Sequence, residues 1–322
     1  MKDGREAVKL LLIGAKRRFN AEYFYARAFA ELGASVDVVD QYVGLRRGDL
    51  ARIVLSRVGV GGELFRRRLP VNRLVRGLRL GEYDAVVVFK GEFLDRRVLE
   101  LLSEYNVWLF WPDTLRYLPL LRGRLQFFRG VFVATDRHDF FFRLGARRVV
   151  TVRWACDPEV HRPVPAEKVY DVSFVGTFYW HRWRVLRHLR RRPHVFGGFW
   201  ILKAGVHHPP VYGEDYAKVV SATRVNLNIH HPRDLVADAP NMRTFEVACM
   251  GGFLLTEDMP SLRSLFSRVA TYRGIDDLNE KVEYYLSNDA EREEVAARMR
   301  EEALARHTYL HRAEELMGVI LT

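Results

Sequence analysis

A chain of 322 residues, 48% hydrophobic and 28% charged, is long enough for two domains, each with its own core, and has an ordinary globular composition. Its longest apolar runs, residues 8–13 and 85–89, fall far short of the roughly 20 residues a membrane span needs, and the polar first nine residues do not resemble a signal peptide, so a cytoplasmic protein is expected. The net charge is +11, and all of it lies in the first half: 30 Lys and Arg stand against 19 Asp and Glu through Pro165, and 21 against 21 beyond it.

Arg supplies most of that surplus, with Arg46, Arg47, Arg52, Arg57, Arg66, Arg67, Arg68, Arg73, Arg76 and Arg79 between two apolar strands. A face of this kind meets an acidic acceptor, an anionic membrane surface or nucleic acid; the plainer reading is a solvated Arg-rich surface. Cys156 and Cys249 are far apart in sequence and lack ligand spacing, so both read as small buried residues and no metal knuckle or disulfide framework is expected.

Residues 8–14 read as a buried strand, residues 20–32 as a helix stopped by Gly33, and residues 36–40 as a second strand. This βαβ opening implies parallel strands. The loop after the first strand carries only Gly14 and is not a G-x-G-x-x-G fingerprint, which gives little support to a dinucleotide cofactor. The Arg-rich stretch to about Arg79 reads as helical, with residues 59–62 as a flexible loop. Residues 84–90, 107–111 and 130–135 are further buried strands. Asp113 and Asp136 follow two of them, at the strand ends where open α/β sheets carry ligand chemistry, although helix N-capping is the commoner task of an Asp there.

Residues 155–168 form a Pro-containing connector, and a hinge is expected at residues 163–168, between domains spanning 1–164 and 165–322. A strand at residues 171–175 then runs through Gly176 and Thr177 into a helix with His181, Arg182 and Arg184. That pattern suits a phosphate, since the turn exposes N–H groups and an Arg fork adds bidentate donors. Residues 194–200 and 223–229 read as strands around a helix at 216–222. The stretch 238–258 concentrates Asp238, Asn241, Arg243 and Glu246 before a tight turn at residues 250–252 and a buried strand at 253–256. Three helices are expected after it.

Several segments together resemble the CgeB-like (spore maturation type) members of the group 1 glycosyltransferases: FWPD at 110–113, GVFVATD followed by LGARRVVTVRWACDPEVHRP, DVSFVGT at 171–177, NMRTFEVACMGGFLLTE, and HTYLHR at 307–312. The resemblance is thinnest over residues 43–80. It implies the α/β fold called GT-B, two Rossmann-like domains with parallel sheets facing across a cleft, the first on the acceptor side, the second on the donor side, and the last helix returning to the first domain. It also implies a nucleotide-diphosphate sugar as co-substrate, no metal, and a retaining transfer to an unknown acceptor, with no specific nucleic acid as partner.

Asp238 and Glu246 stand eight positions apart, as a pair of acidic residues does in retaining enzymes of that fold, with Asp in place of the usual first Glu. The resemblance gives Glu246 to the donor ribose, and Arg182 and Arg243 would then neutralise the diphosphate; Gly176, Thr177 and Asn241, at a turn and a helix start, are taken as further donor-binding residues, and Asp113, at a strand end, and Asp238 as the catalytic candidates. Two other readings compete with transfer: a basic nucleic-acid-binding protein on an α/β scaffold, and a sugar-nucleotide epimerase of the same fold.

Overall fold

The computed structural model describes residues 7–45, 63 and 66–322, which divide into two units: Met1–Arg153 with Leu310–Thr322, and Trp154–Tyr309. The division between Arg153 and Trp154 precedes the Pro-containing connector. Arg46, Arg47, Arg52, Arg57 and the loop 59–62 lie outside the described residues.

In the first unit the described elements are β1 (Lys9–Gly14), α1 (Ala21–Glu31), β2 (Ser35–Asp40), α2 (Pro70–Arg76), β3 (Ala85–Phe89), α3 (Arg96–Leu102), β4 (Val107–Trp111), β5 (Gly130–Val133), α4 (Asp139–Phe142) and β6 (Val149–Thr151). All six strands are parallel, in the order β2-β1-β3-β4-β5-β6. β3, β4 and β5 are buried along their whole length, because helices on both faces of a parallel sheet leave no wet side. Alternate residues therefore feed two cores. Val86, Val88, Leu109, Trp111, Val131 and Val133 enter one, and on the other face Phe89 stacks on Phe110 at 4.9 Å with Tyr25 of α1 edge-on to Phe110 at 5.2 Å.

The second unit contains β7 (Tyr170–Val175), α5 (Trp180–Arg187), β8 (His194–Phe196), β9 (Val206–His208), α6 (Gly213–Ser221), β10 (Thr223–Asn228), α7 (Pro232–Val236), α8 (Met242–Cys249), β11 (Leu254–Glu257), α9 (Leu262–Leu265), β12 (Ala270–Tyr272), α10 (Gly274–Ser287) and α11 (Asp289–Arg306). Its six strands are parallel in the order β12-β11-β10-β7-β8-β9, which is the 3-2-1-4-5-6 order of a dinucleotide-binding sheet. The turn after α8 closes with Gly251 in the left-handed region, at φ +68°, while Gly252 N–H donates to Val247 O at 3.0 Å, the helix ending that a Gly pair permits. The last helix, α12 (Tyr309–Ile320), buries Ala313, Leu316 and Ile320. It is tied to the first unit by Arg312 Nε, donating to Arg153 O at 3.0 Å, and by Asn106 Nδ2, donating to Ile320 O at 2.7 Å.

One strand is shorter than expected and two others were not expected. The strand expected over 194–200 ends at Phe196, because Gly197 and Gly198 break it and Trp200 instead turns its indole N–H back to Gly176 O at 2.9 Å. β9 and β12, each three residues long, were not anticipated. Among the described residues no helix is long and apolar enough to cross a membrane.

Candidate functional site

In a sheet of this order the crossovers leave in opposite directions from the first and fourth strands, here β7 and β10, and open a crevice beyond their carboxyl ends. Gly176 and Thr177 follow β7; Ile229 and His230 follow β10. Arg182 of α5 ties the two ends together, its Nε donating to Ile229 O and its Nη1 to Thr177 O, each at 3.0 Å. The same guanidinium lies over the rings of Tyr179 (4.7 Å) and Phe174 (5.2 Å). The phosphate-binding fork expected from the sequence is thus spent in large part on the protein's own backbone: Arg182 shapes the crevice. Thr177 is exposed at its rim.

α8 brings a second group to the crevice. Asn241, its N-cap, does not cap the helix; its Nδ2 donates to Asn228 Oδ1 at 2.9 Å at the end of β10. That bond joins the start of α8 to the strand end that Arg182 also holds. The Asn241 Oδ1 and Arg243 Nε are both buried without a hydrogen-bond partner. Such atoms are uncommon in a finished interior, since a buried polar group left unpaired costs about 1–3 kcal/mol. One turn on, Glu246 is buried, with His161 Nε2 3.8 Å from its Oε1. Burial, followed by the charge of Glu246, pushes the buried Tyr216 phenol well up, while Arg243 works the other way. Burial also pushes His161 down against the opposing pull of Glu246 and Asp157.

Asp238 binds the start of α9. Held at φ +49°, it accepts from Ser261 N at 3.1 Å and from Ser261 Oγ at 2.8 Å, which clasps the loop ahead of α8 to the start of α9. In the first unit Asp113, half-buried after β4, pairs with Lys90 Nζ at 2.8 Å and lies 3.6 Å from Arg116. Lys90, at φ 60°, and Thr114, at φ 48°, both take the left-handed backbone beside it, a conformation that costs non-glycine residues energy and tends to gather at working sites. Asp136 is exposed and paired with Arg153.

The sequence reading missed Glu257, the last residue of β11. Its Oε1 lies 2.7 Å from His181 Nε2, and its Oε2 accepts from His230 N–H at 2.6 Å and sits 3.4 Å from His230 Nδ1. Burial pushes this carboxyl up, but the bonds from His181 and His230 outweigh it and hold Glu257 at about 2. The signal was available: Glu257 ends a buried strand, the criterion that singled out Asp113 and Asp136. The two cysteines, distant in sequence, are both buried, and Cys156 is pushed well up by a hydrogen bond with Cys249 and by burial. Among the described residues no group of three or more His, Cys, Asp and Glu side chains is arranged to hold a metal ion.

With two such Rossmann-like units, the fold is GT-B. The family described as glycosyl transferase-like matches residues 181–318, less than half of the chain, and that span includes α5, α8 and Glu257. No curated protein matches by sequence. Among solved structures, the chain is similar to the T4 phage β-glucosyltransferase in complex with UDP-glucose, at 12% identity and a TM-score of 0.65 over 97% of this chain and 99% of that one. It is similar also to HepE of Anabaena in complex with UDP-glucose, at 10% identity and a TM-score of 0.66 over 97% and 99%. A glycosyltransferase from Rickettsia africae aligns at 7% identity with a TM-score of 0.61 over 98% of each chain.

Proposed function

We propose that this protein is a glycosyltransferase that moves a sugar from a nucleoside-diphosphate sugar to an acceptor, the second unit binding the donor. The observation that carries this reading is the pair of partnerless polar atoms, Asn241 Oδ1 and Arg243 Nε, beside the buried Glu246 at the switch point of the sheet. With Glu246 they offer an acceptor, a cationic donor and a carboxylate within about a turn and a half of helix, the complement of a nucleotide's hydroxyls and phosphates. The glycosyl transferase-like match over 181–318 and the UDP-glucose held by the T4 and Anabaena proteins support it.

As the glycosidic bond breaks, negative charge grows on the diphosphate. Arg243 and the N–H groups at the start of α8 stabilise that charge, and their preorganisation lowers the barrier without solvent rearrangement. Glu246 accepts from the ribose hydroxyls. Gly176 and Thr177 border the phosphates, held there by Arg182. Asp113 serves as the catalytic carboxylate of the first unit, and Asp238 sets the loop that presents Asn241. Transfer is retaining and metal-independent, as the resemblance to retaining GT-B enzymes implies; a T4 enzyme structure holds UDP with Mn2+, so turnover that disappears with EDTA and returns with Mn2+ would overturn the second point. The basic first half serves an anionic acceptor or an anionic membrane surface beside it.

Calorimetric titration with uridine, UMP and UDP tests the donor site. Arg243→Ala is expected to weaken UDP by about 1.5–3 kcal/mol, roughly 10- to 150-fold, while leaving uridine unchanged. Glu246→Gln is expected to weaken all three ribonucleotides and spare the 2′,3′-dideoxy forms. Equal affinities across both variants and every ligand would remove the assignment.

A further inference from the structure

The first unit contains a cavity of about 410 Å³, which among the described residues four arginines line: Arg66, Arg96, Arg122 and Arg124. Its size is that of a small-molecule site. Leu99 and Phe127 supply apolar wall, and the carboxylate in the lining is Glu63, 3.6 Å from Arg66 Nη1. Two of the arginines are fixed by neutral groups. Arg124 Nη2 donates to Gly91 O at 2.6 Å and to Leu94 O at 2.9 Å, and Arg66 Nε donates to Glu92 O at 2.7 Å. Arg96 lies over the Phe127 ring at 5.7 Å and pairs through its Nε with Glu100 Oε1 at 2.8 Å. Arg122, beside Gly123, is exposed.

Backbone carbonyls position Arg124 without neutralising it, and with Glu63 beside Arg66 and Glu100 beside Arg96 two carboxylates face four guanidinium groups, so positive charge is in surplus around the cavity. Burial first, and the Arg66 charge second, push Arg124 down to about 10 against the opposing pull of Glu63, Asp95 and Glu92. A protein that spends free energy holding like charges around an open volume gains most from a counter-charge placed inside it. Arg forks match the paired oxygens of phosphate and carboxylate, and the Leu99 and Phe127 wall rewards an apolar body attached to them.

We propose that this cavity is a binding site for a small anion that carries a phosphate or carboxylate group on an apolar or aromatic body. The proposal stands on the first unit alone and does not rest on the donor-site reading. Isothermal titration of the whole protein with phenyl phosphate, benzoate and inorganic phosphate tests it. Phenyl phosphate is expected to bind at least about tenfold more tightly than inorganic phosphate, and benzoate shows whether a carboxylate suffices. Arg122→Glu, at an exposed position, should weaken phenyl phosphate about tenfold or more with Tm unchanged, and Arg66→Gln should weaken it likewise. Arg243→Ala, in the other unit, should leave the affinity as it is. Absence of binding at millimolar phenyl phosphate, or affinity that falls with Arg243→Ala and not with Arg122→Glu, overturns the proposal; the second result would place the anion in the donor site instead.

Discussion

Glu257 keeps its charge in a buried place because His181 and the His230 backbone reach it from two different loops, and that dependence is measurable. A carboxyl held at about 2 in the folded chain and near 4.5 when unfolded contributes its full stabilisation above the unfolded value. That stabilisation is lost as pH falls from about 4.5 toward 2, and Glu257→Gln is expected to remove this part of the acid-unfolding curve, at a cost of about 2–3 kcal/mol near neutrality. An unchanged acid limb in the variant would show that the network contributes nothing. Arg182 makes a different prediction from Arg243. Since its Nε and Nη1 hold Ile229 and Thr177, Arg182→Ala should weaken uridine and UDP by the same factor and lower Tm, whereas a residue touching the diphosphate discriminates between them. That Arg182 belongs to the crevice was legible from its place after a Gly-Thr turn. The aim of its guanidinium was not, because one of its acceptors lies 47 residues further along the chain.

At the level of elements, the buried parallel strands announced themselves as apolar runs: β1, β3, β4, β5, β7 and β11 were expected where they occur within a residue or two. β9, Val-His-His, and β12, Ala-Thr-Tyr, end the sheet at its two edges. An edge strand has one neighbour and a partly wet face, so neither needs the apolar run that betrays an inner strand. Strand order was also out of reach of the residues, and the switch point with it, because β7 and β10 meet at a sequence separation of 50 residues. One contact at this scale is steep. A Cβ added at Gly197 would overlap the carbonyl of Gly176, backbone against backbone, with no flexible side chain to yield. Gly197→Ala is expected to cost about 2–3 kcal/mol and to shift the Gly176 loop, so that thermal unfolding moves down and UDP affinity falls together. A stable variant with undiminished affinity would show that the loop can give.

At the scale of the whole molecule, the two units divide the charge as well as the chain. The cavity lined by Arg66, Arg96, Arg122 and Arg124 belongs to the basic first half, and the partnerless Asn241 Oδ1 and Arg243 Nε to the half whose charges balance. If the basic half attracts an anionic acceptor or membrane, binding of the wild type to anionic vesicles should weaken steeply between low and 0.5 M salt, while UDP affinity changes far less. Vesicle binding that ignores salt would mark those arginines as a solvated surface.

The placing of α12 with the first unit bears on the order in which a ribosome can deliver a finished fold. Residues 154–309 are contiguous, and their sheet has all of its strands once they have emerged. The sheet of residues 9–151 is synthesised earlier, yet the partners of Asn106 and Arg153 arrive only with the last 13 residues. The half made first is therefore the half completed last, and it waits with apolar surface uncovered while the other is translated. A chain stopped after Tyr309 should keep residues 154–309 resistant to pulse proteolysis and lose that resistance in residues 7–153, and supplying residues 310–322 as a separate peptide should restore it.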